Sequence, residues 1–477
     1  MSDTIKNILF ELLLLPKETE WVEFKKNNFY PKEIGEYISA LSNSACLHNR
    51  EKAYLVFGVD DVSHIAIGTD FKPKQEKVGN QELENWIATQ LEPRIDFKIH
   101  EVVLDNNNLV IFEIDTTFNT PVKFKGNEYI RVGSYKHSLD KFPEKAREIW
   151  GKNPRRIFEK DIAKNGISSD EVLELLDYPE FFSLLKQKLP DNRTGILEKL
   201  ESEKVIIKNR NDYDITNLGA ILFAKKLSDF ENLGRKAVRV IIYKGKNRLC
   251  TIKEQVGAKG YAVGFEGLID FINGILPSNE ILGKALREEV KMYPEIAIRE
   301  LVANALIHQD FDLTGTSPMI EIFDDRIEFS NPGTPLINTL RFIDHMPKSR
   351  NEMLATFMKR VGICEERGSG IDKVINEVEK YQLPAPNFIE DDIFFKAILF
   401  AHNKFEDMNK EDRIRACYQH CCLKYVSNEL MTNQSLRKRF EIEDKNYPMI
   451  SKIISNSLKK GLIKDSDQNR KYIPFWA

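Results

Sequence analysis

Glu300, Asn304 and His308 stand at i, i+4 and i+8 in Glu300-Leu301-Val302-Ala303-Asn304-Ala305-Leu306-Ile307-His308, so a helix would align them on one face. A carboxylate one turn before a carboxamide can hold one water and one magnesium ion over a nucleotide phosphate. The other face, with Leu301, Val302 and Leu306, would pack into a core. The same spacing also suits a buried helix whose polar residues only cap or hydrogen-bond their neighbours. A second chemical feature lies downstream, where Arg367-Gly368-Ser369-Gly370-Ile371 opens a helical pattern through Val374, Ile375 and Val378. Glycines just before a helix leave backbone N–H groups bare at the positive end of its dipole, where they can cradle phosphate.

The elements that must hold these groups are legible around them. Pro318 to Phe323 reads as a strand, Asp324-Asp325 as a turn, and Arg326 to Ser330 as the return strand. That strand runs into Asn331-Pro332-Gly333-Thr334-Pro335-Leu336. The order is acid–asparagine helix, strand into a glycine turn, intervening segment, glycine turn into a helix. It resembles the GHKL family, the ATP-binding fold of gyrase, Hsp90, MutL and histidine kinases. The resemblance implies a Bergerat-type α/β sandwich that binds ATP and Mg²⁺. Glu300 would orient or activate the attacking water and Asn304 would hold the magnesium. His308, Asn331, Gly333, Gly368, Ser369 and Gly370 would complete the nucleotide site, with Gly333 beneath the base and Gly368 and Gly370 at the phosphates. Asn331 stands where the family has an adenine-contacting aspartate; its side-chain oxygen can still accept from the adenine amino group. Within the family the resemblance is to a divergent branch of bacterial RecG-related proteins, whose pattern NAxxHRDY reads here Asn304-Ala305-Leu306-Ile307-His308-Gln309-Asp310-Phe311. Gln309 replaces the basic residue, which implies one phosphate contact fewer. No G-x-x-x-x-G-K-[ST] phosphate loop occurs in the chain, so a helicase motor of that type is not expected.

Composition sets the frame. A chain of 477 residues is long enough for about three domains or more, and 42 % hydrophobic content supplies several cores. The net charge of −3 excludes a global polycation, so nucleic-acid contacts must come from local patches. The apolar run Ile8 to Leu15 is broken by Glu11 and followed by Pro16, unlike a signal peptide. No apolar run reaches membrane-spanning length. Six cysteines predict a reducing, cytoplasmic setting rather than a disulfide framework. Cys417, His420, Cys421 and Cys422 cluster, but no second pair lies at zinc-finger spacing, so they are expected to be core residues.

Residues 1–145 carry a separate pattern. Trp21 to Lys25 alternates like a strand, and a helix through Ile34, Tyr37, Ile38 and Leu41 ends in Ser42-Asn43-Ser44. Ala53 to Asp61 reads as a buried strand stopped by a turn, Ile65 to Gly68 as a short return strand, and Tyr129 to Ser134 as a strand with an outward Arg131. This run resembles the Schlafen-type AlbA_2 domain, whose pattern is E-x4-EFK, a helix ending in SAFAN-x-x-GG, and a GVDD strand. Glu18, Glu23, Lys25, Asn43, Gly58, Asp60 and Asp61 match it, while Ser44-Ala45-Cys46-Leu47-His48 departs from the glycine pair and implies a bulkier loop. In nuclease members two glutamates and the GVDD aspartate bind a divalent metal. Here the resemblance implies Glu18, Glu23 and Asp60 as ligands of Mg²⁺ or Mn²⁺, with Lys25 near the scissile phosphate. Other members bind nucleic acid without cutting it, and both readings stay open.

Residues 146–235 read as a helical connector. Val172, Leu175 and Leu176 mark one helix and Ile196, Leu197 and Leu200 another. A hairpin then joins Val205-Ile206-Ile207 to Tyr213-Asp214-Ile215, and Thr216-Asn217 caps a helix from Leu218 to Ala224. Residues 236–404 hold the ATP-binding pattern. Residues 405–477 follow a winged-helix plan: a helix-turn-helix entry at Thr432 to Phe440, a helix over Met449 to Lys460, and a hairpin around a polar tip. Ten Lys/Arg against five Asp/Glu in residues 430–477 suit phosphate contacts, and a winged helix used for dimerisation is the alternative. The expected molecule is a cytoplasmic multidomain α/β (α+β) protein. It would bind ATP and nucleic acid, associate with further copies of itself, and act on DNA or RNA as an ATP-gated, metal-dependent nuclease. Its architecture resembles phage-defence proteins. The alternative is an ATP-sensing, DNA-binding transcription regulator without nuclease activity.

Overall fold

The computed structural model describes residues 2–15, 19–48, 50–61, 63–104, 106–152, 157–210, 212–282, 287–364, 370–391 and 393–477. Residues 1–156 and 157–475 form two units, described in turn. Both mix helices and sheets.

In the first unit α1 (Ser2–Leu13) precedes β1 (Val22–Lys25), α2 (Pro31–Leu47) and β2 (Lys52–Phe57). A hairpin of β3 (Lys77–Val78) and β4 (Gln81–Glu82) leads to α3 (Leu83–Gln90), β5 (Leu91–Glu92), β6 (Phe97–Leu104) and β7 (Asn107–Asp115). β8 (Lys123–Phe124), β9 (Asn127–Val132), β10 (Tyr135–Ser138) and α4 (Pro143–Gly151) follow. One sheet runs β1-β2-β7-β6, with β1 parallel to β2, and another runs β10-β9-β8-β5. α2 serves both. Its Ile34, Ile38 and Leu41 pack with Leu55, Phe57, Phe112 and Phe124. Its polar residues bind the second sheet: Ser39 Oγ donates to Val122 O at 2.7 Å, Asn43 bonds Val122 N and O and Tyr129 O, and Ser44 Oγ accepts from Arg131 N. Because these side chains bond to neighbouring strands, they do not compete with their own helix. α2 therefore passes the expected stop at Ser42-Asn43-Ser44, and no glycine breaks it before Leu47. The return strand expected at Ile65 to Gly68 is reduced to one bridge, Val59 with Ala66.

The second unit begins with β11 (Ile162–Ile167), α5 (Ser169–Leu175), α6 (Tyr178–Leu184), α7 (Arg193–Ser202), β12 (Ile206–Lys208), β13 (Tyr213–Thr216) and α8 (Asn217–Phe223). The expected hairpin and capped helix are present, and Thr216 Oγ1 accepts from Gly219 N at 3.0 Å. β11 adds a third strand in the order β11-β13-β12. The next elements are β14 (Arg239–Tyr243), β15 (Thr251–Val256), α9 (Tyr261–Ile275), β16 (Ser278–Leu282), β17 (Arg287–Lys291) and α10 (Glu295–Ile307). β18 (Met319–Ile322), β19 (Arg326–Pro332), α11 (Glu352–Arg360), α12 (Gly370–Lys380), β20 (Asn387–Glu390) and β21 (Phe394–Phe400) complete this part. A six-stranded sheet runs β15-β14-β18-β19-β21-β20, antiparallel except for β14 with β18.

Along β19 the side chains alternate. Ile327 and Phe329 join Leu301 and Val302 of α10, Val374 of α12 and Phe265 of α9 in one core, which also takes in Leu200 of α7 and Leu222 and Phe223 of α8. Glu328 falls between them and is held by Arg326 and Lys396. The chain ends in α13 (Lys410–Val426), α14 (Asn433–Arg439), α15 (Tyr447–Lys459) and a hairpin of β22 (Ile463–Asp465) and β23 (Tyr472–Pro474). Cys417, Cys421 and Cys422 are buried free thiols, and burial pushes the Cys417 thiol up to about 12. Burial raises the Cys421 thiol as well, so both stay protonated at neutral pH. Among the described residues no helix is long and apolar enough to cross a membrane.

Candidate functional site

α10 has the face its sequence predicts. Ala297, Ile298, Leu301 and Val302 are buried in the core, whereas Asn304 and His308 are partly exposed and line a cavity of about 150 Å³. Asn331, Thr334, Lys348 and Gly370 line the same cavity. Glu300 is buried and reaches the first residue of α12, where a Cβ added to Gly370 would lie 2.9 Å from its Oε2. That is closer than a side-chain carbon normally comes to a carboxylate oxygen. The structure thus brings together Glu300, Asn304, His308, Asn331 and Gly370, which the sequence spreads over 71 positions. Gly368 and Ser369 lie outside the described residues.

Each group is held by identifiable bonds. Asn331 is buried at the end of β19 and its Nδ2 donates to Pro332 O at 3.1 Å, which leaves the side-chain oxygen as its acceptor. Gly333 has φ +95°, and a Cβ there would lie 2.7 Å from Asp310 Cβ. It lets the loop after α10 approach the strand end, where Asp310 N donates to Pro332 O at 2.8 Å. Burial, reinforced by nearby Arg350, pushes the His308 imidazole down to about 4, so it is neutral at pH 7.

Three residues escaped the sequence reading. Arg350 donates to Thr334 O at 2.8 Å and pairs with Asp310 at 3.3 Å. Asn351 Nδ2 donates to Ile307 O and Gln309 O, closing the C-terminal end of α10. Lys348 lines the cavity beside them. The signal available was the polar run Lys348-Ser349-Arg350-Asn351 just before α11. Gln309 needs correction: it is fully buried, and its Nε2 donates to Tyr261 OH at 2.6 Å and Leu306 O at 3.1 Å. Its side chain is held in the core rather than at the cavity wall.

The first unit treats its acids differently. Glu23 is 3 % exposed and lies between two cations, Lys25 and Arg131. Arg131, read from sequence as outward, is fully buried and also donates to Val22 O at 2.7 Å. The reason is pairing across sheets, because β9 presents this side chain to β1 rather than to water. Asp60 is 2.6 Å from Lys26 Nζ and accepts from Ser63 N and Oγ. Glu18 lies outside the described residues.

A divalent cation at this place would need carboxylate oxygens not already neutralised. Glu23 has one oxygen on each cation, and no group of three metal-ligating side chains occurs among the described residues. The described residues do not fit a metal here. A further acid, Glu20, was not singled out by the sequence. It meets His48 and Gly133 N, both at 2.8 Å, and lies 3.5 Å from Lys145. Burial opposes ionisation, yet these partners bring its carboxyl down to about 2.

Two family models match parts of the chain. Residues 18–140 match the Schlafen AlbA_2 model, which spans Glu23, Lys25 and Asp60. Residues 315–399 match the model described as "Putative ATP-dependent DNA helicase recG C-terminal". That segment contains Asn331, Gly333 and Gly370 but begins after Glu300, Asn304 and His308. No curated protein matches the chain. Among solved structures, the DIP2311 protein from Corynebacterium diphtheriae is similar at 16 % identity and a TM-score of 0.42, over 98 % of this chain and 96 % of that one. The N-terminal domain of a RecG-related protein, described as a putative ATP-dependent DNA helicase, from Nitrosomonas europaea is similar at 21 % identity and a TM-score of 0.20. It covers 28 % of this chain and 90 % of that one.

Proposed function

We propose that the protein binds ATP in the cavity between α10, β19 and α12 and uses nucleotide occupancy to control nucleic-acid binding. The observation that carries this reading is the convergence at Gly370. A helix begins there without a side chain, beside a buried carboxylate and a carboxamide on the cavity wall. The residues present fit a magnesium nucleotide. Asn304 offers a carboxamide oxygen to the metal, the first turn of α12 offers N–H groups to phosphate, and Asn331 offers an acceptor to the base amino group. Bound magnesium would offset phosphate charge. In this reading Glu300 would orient and deprotonate a water, and neutral His308 would add no charge to compete with the metal.

Nucleic-acid binding is supported by the AlbA_2 match and by the terminal helices, read here as a winged helix. α15 carries no acidic residue and exposes Lys452 and Lys459. The regulator reading is favoured over the nuclease reading by one observation. Glu23 would have to leave both Arg131 and Lys25 before it could bind a metal.

Calorimetric titration of the full chain with ATP and Mg²⁺ tests the cavity. Wild type should bind, and Gly370→Glu should lose binding, because its side chain fills the phosphate space and adds negative charge beside Glu300. Equal affinity in both proteins would remove the assignment.

A further inference from the structure

α12 keeps different company at its two ends. Gly370 lines the cavity, whereas Glu379 in the last turn meets the terminal helices. His420 Nδ1 of α13 lies 3.1 and 3.0 Å from the two Glu379 oxygens, and Arg439 Nε of α14 forms an ion pair with Oε1 at 3.3 Å. His420 Nε2 is 3.1 Å from Ser435 Oγ, a member of the capping box that starts α14. Arg439 is buried and donates to Leu383 O at 2.6 Å, just beyond α12. One carboxylate therefore anchors two terminal helices.

A second attachment runs through the other part of the cavity wall. Tyr418 OH of α13 donates to Leu340 O at 2.5 Å. Leu340 lies in the segment whose Leu336, Phe342 and Lys348 line the cavity. α13 is thus bonded both to the helix that begins at the cavity and to the segment that borders it. Partly buried hydrogen bonds and ion pairs of this kind are directional, and leaving one partner unsatisfied is costly. α12 is roughly 16 Å long at about 1.5 Å per residue. A displacement of either wall would reach α13 and α14 through these contacts.

We infer that Glu379 and Tyr418 are the positioning residues through which occupancy of the cavity sets the arrangement of the terminal helices. This rests on the nucleotide reading and names its regulation. Because such coupling is reciprocal, whatever the terminal helices bind alters nucleotide affinity by the same factor.

Hydrogen exchange on the full chain tests it, with and without ATP and Mg²⁺, in wild type, Glu379→Gln and Tyr418→Phe. Both substitutions are nearly isosteric, and the second removes one hydroxyl, so folding is checked by thermal melts. In wild type, nucleotide should change protection in α10 and also in α13 and α14, the latter by about 5-fold or more, the low end of ordinary coupling. The variants should keep the α10 response and lose most of the α13–α14 response. A response confined to α10 overturns the coupling and leaves the nucleotide site standing. Variants that respond as fully as wild type overturn the assignment to these two bonds. No response anywhere, with no calorimetric binding, removes the nucleotide reading and this inference together.

Discussion

Arg131→Met isolates the central claim about the first unit, that Glu23 is neutralised by protein cations rather than by a metal. Methionine keeps an unbranched apolar stem but removes the charge and the bond to Val22 O. Glu23, 3 % exposed, is then left with Lys25 alone. Removing one partner of a buried ion pair costs about 3–5 kcal/mol, because the other charge stays desolvated. For a unit of this size each kcal/mol shifts the melting temperature by about 2–4 °C, so the expected drop is about 6–20 °C. Glu23→Gln should cost a similar amount by stranding Arg131. The double variant strands neither charge. Its cost should fall below the sum of the singles by about 1–3 kcal/mol, the range of coupling between contacting residues. The assay is urea unfolding followed by tryptophan emission, since Trp21, Trp86 and Trp150 all lie in this unit. Singles that add within about 0.5 kcal/mol would refute the pairing. So would stabilisation of wild type by millimolar Mn²⁺ that Glu23→Gln abolishes.

Other expectations concern the cavity, the terminal helices and pH. Glu300→Gln should retain ATP binding while phosphate release falls about 10²-fold or more, the usual loss for a general base; unchanged turnover would make Glu300 structural. Lys452→Ala with Lys459→Ala should flatten the logarithmic salt dependence of DNA binding by up to about 2 units if both lysines touch phosphates. Lys460→Ala should change it less, because that side chain is paired with Glu411. The depressed Glu20 carboxyl contributes stability that is present above about pH 4.5 and is lost as pH falls towards about 2. Glu20→Gln should therefore flatten the acid limb of the first unit's melting profile, and an unaltered limb would dismiss the hydrogen-bonded cluster as its source.

What the sequence could disclose depended on how far apart the partners lie. The face of α10 follows from the helical repeat, and the β18–β19 hairpin follows from alternation around Asp324-Asp325. Both are short-range patterns, and both stand in the fold. Arg131 was misread because its acceptor on β1 is 109 residues away, and alternation along one strand cannot see another sheet. The Arg350–Asp310 pair is 40 residues apart and left no periodic trace. β11 was missed because Ile162-Ala163-Lys164-Asn165-Gly166-Ile167 shows no apolar–polar alternation and pairs with two register shifts. Gln309 was given the surroundings of the motif it resembles. Its amide instead meets Tyr261 OH, which a linear pattern could not supply.

The continuous core of the second unit has a consequence for how this protein can be cut. Phe223 of α8 stands edge-on to Phe357 of α11 with ring centres 5.0 Å apart, and Gly260 lets the start of α9 lie against the Leu222 backbone. A fragment beginning near residue 236 would keep α9, α10 and α11 but lose Leu222 and Phe223. It would present to water the apolar surface that those side chains cover. Such a fragment should aggregate, while one beginning near residue 157 should remain monodisperse.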